Sequence, residues 1–221
     1  MLKKRIIPIQ LLIDNRLVKT IEFGKYRDVG NPVSSSKIYN DSDADELIFL
    51  NINREERSID PLLSLIKKVS EVCFMPLSLG GGISNIDDAS RLIQNGADKI
   101  VLNSAIYEDL SLIEKIAYKF GNQAVVASID VRRNHSTNEY DLYSNCGREK
   151  KSVDLVNHLK LIQDYGAGEI IITSIDQDGT MKGYDKDLIR IAVENTGIPI
   201  IGAGGAGTFD HLKEAFIETD V

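Results

Sequence analysis

Short apolar runs alternate with longer amphipathic stretches along this chain. The runs are RIIPIQLL (5–12), ELIFLN (46–51), MPLSL (75–79), KIVLN (99–103), AVVASID (124–130), EIIITS (169–174) and IPIIGA (198–203). They are continuous rather than alternating, the pattern of parallel strands buried on both faces. Between them lie helical stretches such as DPLLSLIKKVSEV (60–72), IDDASRLIQNG (86–96), DLSLIEKIAYKFG (109–121) and SVDLVNHLKLIQDYG (152–166). Several open on Asp or Ser and close on Gly, a cap and a stop that mark their ends. Alternation of this regularity predicts an α/β fold with a parallel sheet.

The seven strand starts carry an internal echo. DADELIFLN (43–51), GADKIVLN (96–103) and GAGEIIITS (166–174) share one pattern, and SLGGGIS (78–84) after the third strand matches GAGGAGT (202–208) after the seventh. An offset of four strands predicts two half-barrels, and hence a TIM (β/α)₈ barrel occupying residues 1–221 as a single domain. The pattern ends at AFIETDV, where an eighth strand is due. The eighth strand and helix are therefore expected to be missing from this chain, leaving the barrel incomplete at its C-terminus.

Composition narrows the function classes. A formal charge of −7 turns attention away from nucleic acid. No apolar run is long enough to span a membrane, and the N-terminal stretch lacks the apolar core and cleavage site of a signal peptide, so a cytoplasmic protein is expected. Cys73 and Cys146 are read as free thiols. His135, His158 and His211 share no ligand spacing, so neither a metal site nor a cofactor is expected.

In a barrel, chemistry gathers at the C-terminal ends of the strands. That end is rich in glycine here: Gly80–Gly82, Gly204–Gly205 and the Asp178–Gly179–Thr180 turn, with Asn103–Ser104 beside them in kind. Bare backbone amides at helix starts can approach phosphate oxygens, so two such turns suit a substrate phosphorylated at both ends. Asp130 closes an apolar strand, a place where burial can tune a carboxyl group for acid–base work. At the opposite end Arg5, Glu46, Lys99 and Glu169 each precede an apolar run. If they point inward, two cations and two anions ring the barrel floor and must satisfy one another.

Several blocks are similar to one family. RIIPI, DELIFLNI, LSLGGGISNIDDASRLIQNGADKIVLNSA, AVVASIDVRRN, GAGEIIITSIDQDGTMKGYD and IPIIGAGGAG resemble the cyclase subunit of imidazole glycerol phosphate synthase, almost end to end. The resemblance implies a TIM barrel with a glutaminase partner docked on its floor. Ammonia then crosses the interior to a bis-phosphorylated ribonucleotide at the top. By position it makes Arg5, Glu46, Lys99 and Glu169 the ammonia gate and Asp98 a partner-interface residue. Gly82, Asn103 and Ser104 become one phosphate site, and Asp178, Gly179, Gly204 and Gly205 the other. Lys19 falls in a mobile loop after the first strand, and Asp130 becomes one of two catalytic aspartates.

The other aspartate is absent. Where the family's first strand reads close to I-I-P-C-L-D-V-K-D-G, this chain has Ile-Ile-Pro-Ile-Gln-Leu-Leu-Ile-Asp-Asn, which puts Leu11 at the acidic position. Leucine transfers no proton, and Asp14, three residues on, should lie beyond the strand. Asn51 likewise stands where aspartate is common. Three readings remain open. The preferred one is a paralogue that takes ammonia from its own glutaminase to support amidination of a cell-surface sugar. The others are the histidine-pathway lyase itself and a catalytically idle ammonia conduit or binding scaffold.

Overall fold

The structure, a computed structural model, describes residues 4–53 and 58–221. Its contacts gather into two compact units: residues up to Lys19 with Arg27–Leu102, and Thr20–Tyr26 with Asn103–Val221. In each, parallel strands alternate with helices, the architecture of the TIM (β/α)-barrel class.

The first unit holds β1 (Ile9–Ile13), β2 (Arg16–Thr20), β3 (Tyr26–Gly30), α1 (Pro32–Asp41), β4 (Leu47–Asn51), α2 (Asp60–Val69), β5 (Leu77–Gly80), α3 (Ile86–Gln94) and β6 (Lys99–Leu102). Its strand order is β6-β5-β4-β1-β2-β3. β1, β4, β5 and β6 run parallel, with Leu11 beside Leu50, Phe49 beside Leu79 and Ser78 beside Lys99. Leu47, Ile48, Phe49, Leu79 and Ile100 are buried, as continuous apolar runs require when both faces are covered. α2 supports the sheet through Leu62, Leu65, Ile66 and Val69, a spacing that lines one helical face. α3 begins at Asn85, whose side chain accepts from the amides of Asp87 and Asp88.

The stretch after β1 departs from expectation. Asp14 and Asn15, both at positive φ (49° and 59°), make a two-residue hairpin that pairs β1 with β2, Leu11 opposite Val18. Lys19 therefore sits exposed on a strand, not in an irregular loop. The first strand also begins later than its apolar run, leaving Arg5 four residues ahead of it.

The second unit holds α4 (Ser104–Glu108), α5 (Ser111–Phe120), β7 (Val125–Asn134), β8 (Glu139–Ser144), β9 (Glu149–Lys151), α6 (Leu155–Asp164), β10 (Glu169–Ser174), α7 (Lys186–Glu194), β11 (Ile200–Ala203) and α8 (Phe209–Thr219). β7, β10 and β11 are parallel, with Asp130 level with Thr173 and Thr173 level with Ala203. β7 outruns the expected strand by four residues because its polar end pairs antiparallel with β8, which in turn pairs with β9. Asp154 caps α6 by accepting from the Asn157 amide. That helix buries Leu155, His158, Leu159 and Ile162, so one histidine lies on an apolar stripe.

Candidate active site

Asp130 lies on β7 in the second unit and is 8% exposed. Asn103, the residue before α4, donates its side-chain amide to Asp130 Oδ2 at 2.9 Å and to the Ser128 carbonyl at 3.0 Å. Burial pushes the carboxyl group's pKa up to about 7, and the nearby Asp178 pushes the same way; the hydrogen bonds from Asn103 and Thr173 hold it back. A carboxyl group in that range can give or take a proton near neutrality.

The turn after β10 is built around Asp178. Its Oδ2 accepts from Thr20 Oγ1 at 2.7 Å and from the Phe23 amide at 3.4 Å, while its carbonyl accepts from the Glu22 amide at 2.9 Å. The segment Thr20–Tyr26 thus lies against this turn, with Glu22 and Phe23 both at positive φ. Gly179 meets the Thr20 carbonyl so closely that a Cβ has no room. Gly204 and Gly205 have φ of 91° and 99°, and a Cβ would press on the Ser174 and Gly183 carbonyls. Tight turns alone therefore demand these glycines. Ser104 opens α4, and its hydroxyl accepts from the Asn145 amide at 3.1 Å.

In the first unit Gly82, at φ 79°, packs against the Ser58 carbonyl, and Gly81 against Asn51. Asn51 is buried and acts within its own loop. Its amide donates to Ser58 O at 3.2 Å, and its oxygen accepts from the Asn53 amide at 3.2 Å. An ionised aspartate could not make the first of these bonds. Leu11 projects to the side of β1 opposite Gln10, whose side chain reaches Ser35 on α1 at 2.9 Å. Asp14 lies in the hairpin turn and accepts from Asn53 Nδ2 at 3.1 Å, so its carboxylate does not take over the place of Leu11.

Three of the four floor charges meet in the first unit. Glu46, 2% exposed, accepts from Arg5 Nη1 at 3.1 Å, Lys99 Nζ at 2.7 Å and Ser78 Oγ at 2.5 Å. A buried carboxylate is tolerable only with such a complement. Ser78 escapes sequence reading, because a lone serine inside MPLSL has no charge to announce it. Glu169 opens β10 in the other unit, level with Val126. Asp98 is exposed and accepts from the Leu77 amide at 2.8 Å, at the start of β5.

A second buried feature of the second unit also lacks a sequence signal. The Tyr107 and His158 rings stack with centroids 4.7 Å apart and planes 14° from parallel. Burial lowers the His158 pKa to about 4, and burial with the charge of Asp130 raises that of Tyr107. Among the described residues no cluster of three or more His, Cys, Asp or Glu is placed to hold a metal, and no helix is long and apolar enough to cross a membrane. Cys73 and Cys146 are not joined in a disulfide.

Residues 5–221 match the profile of the histidine biosynthesis protein family. The chain is 40% identical over 220 residues to imidazole glycerol phosphate synthase subunit HisF of Trichormus variabilis, covering 99% of this chain and 86% of that relative. Identity to the HisF of Methanococcus maripaludis is 40% over 235 residues, with 98% and 86% coverage. The HisF of Alkaliphilus metalliredigens is 42% identical over 220 residues, again covering 99% and 86%. The chain therefore belongs to the histidine biosynthesis protein family and stands within it beside imidazole glycerol phosphate synthase subunit HisF.

Proposed function

We propose that the chain is an ammonia-using lyase subunit of the imidazole glycerol phosphate synthase type, working with a glutaminase partner on a bis-phosphorylated ribonucleotide. The observation that carries this reading is Asp130: a buried carboxyl group on β7, held by Asn103, whose pKa burial raises to about 7, in the range for acid–base work near neutral pH. Gly204 and Gly205, with Asp178 and Gly179 in the adjoining turn, are assigned to one phosphate of the substrate. Gly82 in the first unit and Asn103 with Ser104 in the second are assigned as phosphate contacts. Arg5, Glu46 and Lys99, with Glu169, are assigned to ammonia entry and Asp98 to the partner interface. The activity named for the relatives favours the histidine-pathway reaction.

One observation favours a second reading. Leu11 removes the second acid–base group that the family resemblance leads one to expect, and Asn51 serves its own loop. Both fit a paralogue whose ammonia supports amidination of a cell-surface sugar and whose cyclase chemistry is relaxed. One assay separates the two: turnover of the bis-phosphorylated ribonucleotide by purified chain with excess ammonium salt. Rapid turnover, lost in Asp130→Asn, supports the histidine-pathway lyase. Slow turnover that rises in Leu11→Asp, together with stimulation of a co-expressed glutaminase, supports the paralogue. If Asp130→Asn leaves turnover unchanged and no glutaminase is stimulated, both readings fail.

A further inference from the structure

One hydrogen bond that Asp130 receives comes from Asn103, the residue before a helix too short to hold itself. α4 has five residues, and one helical turn has almost no stability of its own in water. Asn103 precedes it but makes no side-chain capping bond: its NH2 group donates to Ser128 and Asp130, and its oxygen accepts from the Ser104 hydroxyl at 3.4 Å. α4 must therefore be held from outside. Ile106 is buried beneath it, and Tyr107 lies flat on His158 of α6. His158 belongs to the apolar stripe of a well-capped helix, and is 3% exposed. His158 Nε2 and the Tyr107 hydroxyl are both buried with no hydrogen-bond partner among the described residues, so the pair contributes ring surface.

We infer that the Tyr107–His158 stack is a positioning element for Asp130, anchoring α4 so that Asn103 keeps its amide on the carboxylate. The consequence for catalysis rests on the acid–base role proposed for Asp130; the positioning itself does not. The groups bearing on the carboxyl group are Asn103 and Tyr107 from α4, Thr173 on β10, Asp178 beyond it, and Tyr143 level with it on β8. Lys151, at the end of β9, reaches to 5.8 Å from the Tyr107 ring centre. Of these, Asn103 is the group that the stack controls, and its bond favours the charged form.

The test is a site-resolved carboxyl ¹³C NMR titration of Asp130 in the full chain. His158→Ala and Tyr107→Leu should each raise the midpoint by about half a pH unit or more, because the charged form loses a donor. Asn103→Ala should do the same, and combining it with His158→Ala should add nothing. His158→Phe keeps a flat ring and should leave the midpoint in place. An unchanged or lowered midpoint in the folded ring-removal variants would overturn the inference, as would a full shift in His158→Phe. Tyr107 is the more exposed partner, so Tyr107→Leu decides the matter if His158→Ala does not fold. Because the readout needs no turnover, failure here and failure of the proposed function are separate results.

Discussion

A carboxyl group serves proton transfer best when its two protonation states lie close in energy. Burial of Asp130, with no cationic partner among the described residues, brings this about, and the same burial works against folding once the group ionises. The folded state keeps the proton up to pH about 7, whereas an exposed aspartate loses it near 3.8. The group therefore favours folding at low pH, and that contribution is lost as pH rises through this window. Asp130→Asn should accordingly be more stable than the parent at pH 8 and equal to it near pH 3, read as the urea midpoint. Its ammonia-dependent turnover should fall by roughly 10²–10⁴-fold. Glu46 presents the opposite case, a buried anion fully supplied with partners. Glu46→Ala removes the buried carboxylate that Arg5, Lys99 and Ser78 share and should cost about 3–5 kcal/mol in chemical denaturation. Arg5, Glu46 and Lys99 were readable as charges set before apolar runs. Ser78 was not, because its role exists only where β5 lies beside β4 and brings it to Glu46.

Among the elements, a strand could be read from the sequence to the extent that it is buried. β4, β5, β7 and β10 carry apolar runs because helices and neighbours cover them. β3 reads YRDVG, with four of its five residues exposed, so no periodicity marks it. β8 and β9 are also rich in polar residues, and only pairing makes them strands, β8 with the end of β7 and β9 with β8. The turns behave differently, because glycine shows where the backbone must go. Gly205→Ala places a Cβ against the Gly183 carbonyl at a φ of 99°, and should lose roughly 1–3 kcal/mol of stability by urea titration. The same variant should weaken inhibition by a bis-phosphorylated substrate analogue, if that turn holds a phosphate as proposed.

At the scale of the whole molecule, two buried groups set opposing pH dependences. His158 stays neutral in the fold down to pH about 4, against an ordinary value of 6.5, so its contribution is lost as pH falls through that interval. Asp130 loses its contribution as pH rises across nearly the same span. The parent should therefore show little slope of stability between pH 4.5 and 6.5. His158→Phe should unmask a decline with rising pH, and Asp130→Asn an increase. Urea midpoints at both ends of the interval check this, and parallel slopes in all three proteins would refute it. The order of the buried strands and the helices between them, the places of the glycine turns and the types of the reactive groups were already determined by local pattern, since burial periodicity and backbone freedom are properties of a few adjacent residues. Only the tertiary structure decided that Asn103 holds Asp130, that Thr20 meets Asp178 across 158 positions and that Tyr107 lies on His158. Contacts between side chains far apart in the chain depend on which strands become neighbours and in what register, and no local stretch of residues encodes that distance.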